Sequence, residues 1–70
     1  MKISKFLDDL FDQPHTDLTF DMPGGNDLLV QYQEDGAPFV HVDTYMGAED
    51  FRKAAKLFKR LADALDVEHG

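Results

Sequence analysis

Seventy residues with seven Lys or Arg against fourteen Asp or Glu, a net charge of −7, describe one small acidic chain. A domain of that length buries only about 60% of its unfolded surface, which excludes a second domain or a deep cleft. With no cysteine there is no disulfide framework and no cysteine finger for a metal, and no apolar run approaches the ~20 residues of a membrane span. The opening MKISKFLDDLF is interrupted by Asp8 and Asp9 and has no small-residue cleavage site, so it does not read as a signal peptide, and a cytoplasmic location is expected.

Ile3, Phe6, Leu7, Leu10 and Phe11 recur at the helical period, and Pro14 forces the preceding residue out of a helix. A first helix over 3–12 is therefore predicted, capped by Ser4 or the chain start. Its outward positions are Lys5, Asp8, Asp9 and Asp12, and Lys5 can pair with Asp9 one turn on. Residues 16–22 then alternate as a strand does, with Leu18, Phe20 and Met22 on one side and Asp17, Thr19 and Asp21 on the other. The turn formers Pro23-Gly24-Gly25-Asn26-Asp27 read as a five-residue connection that pairs Met22 with Leu28.

The stretch DLLVQYQEDGAPFVHVD is a hairpin whose register follows by elimination. A two-residue Asp35-Gly36 turn would set Val40 against Gln31, leaving neither side of the ribbon apolar. A three-residue loop, Glu34-Asp35-Gly36 with Gly36 left-handed, pairs Tyr32 with Pro38, Val30 with Val40 and Leu28 with Val42. Ala48-Glu49-Asp50 opens a second helix, with carboxylates where its dipole favours them. Counting 100° per residue from Phe51 places Ala54, Ala55, Phe58, Leu61, Ala62 and Leu65 on its inner face, with Leu57 and Ala64 at the margin. Arg52, Lys53, Lys56, Lys59 and Arg60 form an outward ridge, and residues 67–70 are expected to fray.

The predicted fold is a single α+β domain over 1–70, α-β-β-β-α, a three-stranded antiparallel meander with two helices packed on one face. The other face is left open. Its expected rows are Asp21, Leu29, His41; then Thr19, Gln31, Phe39; then Asp17, Gln33, Ala37, with Asp27 and Asp43 near one end.

Charge is segregated along the chain. From Phe6 to Phe51 there are eleven carboxylates and no Lys or Arg. Self-repulsion of that size weakens a small domain, so it needs a reason. Solubility is the plain one. Adaptation to high salt fits poorly, because the cations are mostly lysine and aromatic residues are plentiful. The sharper reading is that carboxylates on the sheet and first helix imitate a row of phosphates and fill a basic groove on a partner. Asp8, Asp9, Asp12, Asp17, Asp21 and Asp43 would supply attraction. Leu29, Phe39 and His41 would supply a buried centre flanked by Gln31 and extended by Tyr45. The competing reading is a small structural or regulatory domain that self-associates through the same apolar patch, as a homodimer.

Other chemistries fare worse. His41 beside Asp21 and Asp43 converges too loosely for a metal, so no metal or other cofactor is expected. The basic ridge lacks interleaved aromatics and sits in a negative field, which argues against direct contact with nucleic acid. Ser4 is the one serine, with no base near it in sequence, and the glycine pair carries no lysine and opens no helix, so an enzyme is not expected.

With its acidic gap between Phe6 and Phe51, the strand DLTFD and the closing helix AEDFRKAAKLFKRLADALD, the chain resembles the small phage-encoded inhibitors of host defence, the anti-restriction and anti-CRISPR proteins. The likeness is one of size, charge and layout. It implies an inhibitor acting in the host cytoplasm that covers the nucleic-acid-binding surface of a basic protein. The basic ridge departs from a wholly acidic mimic.

Overall fold

Helix α1 (Ile3–Asp12) forms over the span its periodicity predicts, burying Phe6, Leu7 and Leu10. Its N-cap is Lys2, without a side-chain bond, so Ser4 does not cap it; the Ser4 hydroxyl instead accepts from Arg60 Nη2 at 3.2 Å. The computed structural model describes residues 2–34, 36–42 and 45–69, and the order that follows is β1 (Asp17–Asp21), β2 (Asp27–Gln31), β3 (Phe39–His41) and α2 (Ala48–His69). The strands form one antiparallel sheet in the order β1-β2-β3, which is the expected α-β-β-β-α meander.

The second hairpin has the register derived above, with Val30 opposite Val40, Leu29 opposite His41 and Gln31 opposite Phe39. The Gly36 N–H donates to the Gln33 carbonyl at 3.0 Å across its loop; Asp35, the middle of that loop, lies outside the described residues. The first hairpin is shifted by two residues from expectation. Leu18 faces Val30 and Phe20 faces Leu28, while Met22 lies beyond the ladder, its N–H on the Asn26 carbonyl at 2.9 Å. Gly25 adopts φ 86° and donates to the Met22 carbonyl at 3.1 Å, making Pro23-Gly24-Gly25 a three-residue loop of the type anticipated only for the second hairpin. A two-residue slip keeps every side chain on its face, so the core survives the correction and only the rows change.

Both helices cover one face. Phe20, Leu28 and Val30 of the strands and Tyr32, just beyond β2, meet Phe6, Leu7 and Leu10 of α1 and Ala54, Leu57 and Leu61 of α2, with Met22 and Met46 completing the cluster. Edge-to-face contacts fix α1: Phe6 on Phe20 with centroids 5.0 Å apart, and Phe11 on Tyr32 at 4.6 Å. After α1 the chain turns through His15 at φ 66°, whose N–H donates to the Tyr32 carbonyl at 2.8 Å.

Helix α2 is rolled relative to expectation. Its inward stripe is Asp50, Ala54, Leu57 and Leu61, with Ala64 and Leu65 half-buried, while Phe51, Ala55, Phe58 and Ala62 are exposed. Leu57, placed at the margin by the sequence reading, is wholly buried. The helix also continues through residues 67–69 instead of fraying.

Candidate protein-binding surface

Strand alternation puts Asp17, Thr19 and Asp21 of β1, Asp27, Leu29 and Gln31 of β2, and Phe39 and His41 of β3 on the sheet face away from the helices. The observed registers make three rows: Asp21 with Asp27; Thr19, Leu29 and His41; Asp17, Gln31 and Phe39. Leu29 and Gln31 are half-buried at the centre, Phe39 is 60% exposed, and the remaining residues of the face are exposed. Gln31 Nε2 donates to Asp17 Oδ1 at 2.7 Å, and Gln33 donates to Gln31, so a short amide–carboxylate chain braces the third row.

The two-residue shift sharpens the electrostatics of this face. Asp21, expected opposite Leu29, stands opposite a second carboxylate, Asp27. Like charges facing each other across a ladder are unfavourable. The ion pairs among the described residues are Lys5 with Asp9 (3.2 Å) and Arg52 with Glu49, so none answers Asp17, Asp21 or Asp27. Lys59 and Asp63, one turn apart on α2, do not form an ion pair.

Not every residue expected to bind a partner shares this face. Asp8, Asp9 and Asp12 lie on α1 opposite its buried positions, pointing away from the sheet on the helical side of the molecule. They border a shallow depression with Phe11 and Glu68. Tyr45 is 85% exposed in the connection to α2, and its carbonyl accepts from Asn26 Nδ2 at 3.1 Å. Asp43 lies outside the described residues.

Asp50 and Lys53 take structural roles beyond the helix-dipole and outward-ridge positions that the sequence assigns them. Asp50, only 2% exposed, accepts from the Gly24 N–H at 2.7 Å and the Gly47 N–H at 3.0 Å. It is the reaching-back half of a capping box on α2, and it also ties the β1–β2 loop to that helix. The Gly47 and Gly24 N–H groups lower its carboxyl below the ordinary aspartate range against the upward pull of burial, and the Asn26 side chain adds to the lowering. Lys53 lies over the Phe20 ring, 5.0 Å from its centroid, so one cation of the ridge lies against the core instead of extending freely outward.

Among the described residues no group of three or more His, Cys, Asp or Glu is placed to hold a metal ion, and no helix is long and apolar enough to cross a membrane. Comparison of the chain with protein-family models, curated proteins and solved structures found no match.

Proposed function

We propose that this protein is a non-enzymatic binding module whose open sheet face occupies a basic, nucleic-acid-binding surface of a partner protein and so inhibits it. The observation that carries the reading is the unanswered charge of that face: Asp17, Asp21 and Asp27 gather on the β1 side and at one end of the sheet, Leu29 lies at its centre and Phe39 on the β3 margin, and no cation of the described chain pairs with the three aspartates. A chain that keeps carboxylates opposed across a ladder keeps them at a cost in stability, and a cationic partner relieves it. Leu29 and Phe39 give the contact an apolar centre of the kind that carries binding energy, while the aspartates steer encounter and make it sensitive to salt. Asp8, Asp9 and Asp12 face the other way, so a single flat groove engages the sheet face alone. The acidity and size that liken the chain to anti-restriction and anti-CRISPR inhibitors agree with this reading. The cytoplasm is the compartment it requires.

The test is capture of partners from host extract on immobilised wild type, Asp17→Lys/Asp21→Lys and Phe39→Asp, at low and moderate salt, followed by nucleic-acid binding assays on whatever is retained. The expected result is a basic protein that is lost with either variant, released by salt, and blocked from nucleic acid by the wild type. Retention unaffected by both variants, or a retained partner whose nucleic-acid binding is unaltered, overturns the proposal.

A further inference from the structure

The roll of α2 leaves a second apolar stripe exposed over most of its length, with only its last residue, Leu65, packed in part against the core. Phe51, Ala55, Phe58, Ala62 and Leu65 follow one another at alternating intervals of four and three, the spacing of a coiled-coil seam. Phe51 is 54% and Phe58 38% exposed, both alanines are exposed and Leu65 is half-buried. A surface helix ordinarily carries polar residues there. Contacts to α1 leave from another side of α2, through Arg60 to Ser4, so α1 does not shield the stripe.

We infer that this stripe is the self-association surface of the protein, and that two copies pair through α2 in antiparallel orientation about a twofold axis. The pattern of sizes selects the occupant. Large and small residues alternate along the stripe, and an antiparallel second copy sets Phe58 against Ala62 of that copy and Leu65 against its Ala55. Each contact is repeated by the twofold, as a self-complementary interface requires. A parallel copy would instead stack phenylalanine on phenylalanine and leave a gap between facing alanines.

The flanking charges select the same direction. Arg52, Lys59 and Asp66 lie along the solvent edge of the stripe, so this edge is cationic over its first two turns and anionic at its end. Antiparallel pairing brings Arg52 of each copy to Asp66 of the other, two attractive contacts against one Lys59–Lys59 approach at the axis. Parallel pairing turns this edge toward Ala54 and Leu61 of the other copy, which are buried in that copy's own core, and so gains no such pair. Arg52 already pairs with Glu49 within the chain, and that exposed link is weak enough to exchange. Because the stripe belongs to the helical layer, the dimer leaves both open sheet faces uncovered and does not depend on what they bind. A single helix pair buries an area at the low end for specific interfaces, below about 1,200 Å², so the association is a reversible, concentration-dependent one.

Sedimentation equilibrium on the full chain, from about 5 to about 500 μM in about 0.15 M salt, tests this. The expected result is a monomer–dimer equilibrium that Phe58→Lys weakens about tenfold or more and Arg52→Asp weakens several-fold. The double exchange Arg52→Asp/Asp66→Arg should restore it to near the wild-type constant, which only antiparallel pairing does. The substituted side chains are exposed, and circular dichroism with urea midpoints confirms that each variant is folded. A chain that stays monomeric throughout, a dimer indifferent to Phe58→Lys, or a double exchange that fails to rescue overturns the inference.

Discussion

At the scale of single residues, Asp50 carries the most structure per atom. Its carboxylate serves the N–H groups of Gly24 and Gly47, joining a loop and a helix start that are 23 residues apart in sequence. Gly24 is constrained by the same contact, since a Cβ there would lie 2.6 Å from Asp50 Oδ2, and the carboxylate is already bonded to that residue's own N–H. Gly24→Ala should therefore lower the urea midpoint clearly. The pH dependence has a definite sign. The folded carboxyl titrates below its ordinary value of 3.8, so its stabilisation is present above that value and is lost as pH falls from there through the folded pKa. Asp50→Asn should be less stable than wild type at neutral pH, and the gap between their urea midpoints should narrow as the pH is lowered from about 7 to about 3. A gap that stays constant with pH would separate the Asp50 carboxylate charge from the clamp.

At the scale of elements, α2 makes the clearest prediction and the clearest lesson. Leu57 is wholly buried while its neighbour Phe58 is exposed. Leu57→Ala should cost about 2–5 kcal/mol in a denaturation experiment, whereas Phe58→Ala in the dilute monomer should cost clearly less, because more than a third of that ring is already exposed. The reverse order would mean that the helix is rolled as its phenylalanines suggest. The sequence admits both rolls because α2 has two adjacent apolar stripes, one through Ala54, Leu57 and Leu61 and one through Phe51 and Phe58, and a wheel anchored on the larger residues picks the second. What decides between them is Asp50, whose turn inward to reach Gly24 and Gly47 fixes the helix about its axis, and a buried aspartate leaves no hydrophobic signal. The strands were easier to read. Alternation fixed the faces of Leu18, Phe20, Leu28, Val30 and Val40 and hence the open face of the candidate site, and elimination fixed the second hairpin. The first hairpin is two residues from expectation because Pro23-Gly24-Gly25-Asn26-Asp27 contains a shorter loop within it. Asp8, Asp9 and Asp12 occupy the outward side of α1 as periodicity predicts, and because both helices cover the other face of the sheet these acids cannot join the open face in one flat surface.

At the scale of the whole molecule, a net charge of −7 on 70 residues sets the response to salt. Ion pairs among the described residues are few and exposed, so screening removes more repulsion than attraction. The melting temperature should rise as ionic strength increases from about 0.01 M to about 0.15 M, and a fall over that range would mean that unseen attractive pairs dominate. The same field bears on assembly: two acidic protomers repel at long range, so pairing through α2 should be measured with salt present.

β3 has only three residues and follows Pro38, while β1, the opposite margin, alternates carboxylates along its outer side. Brevity, proline and charge are the devices that deter strand addition. The sheet therefore presents a bare surface between two guarded borders, open to docking against its flat side but poorly suited to templating fibrils.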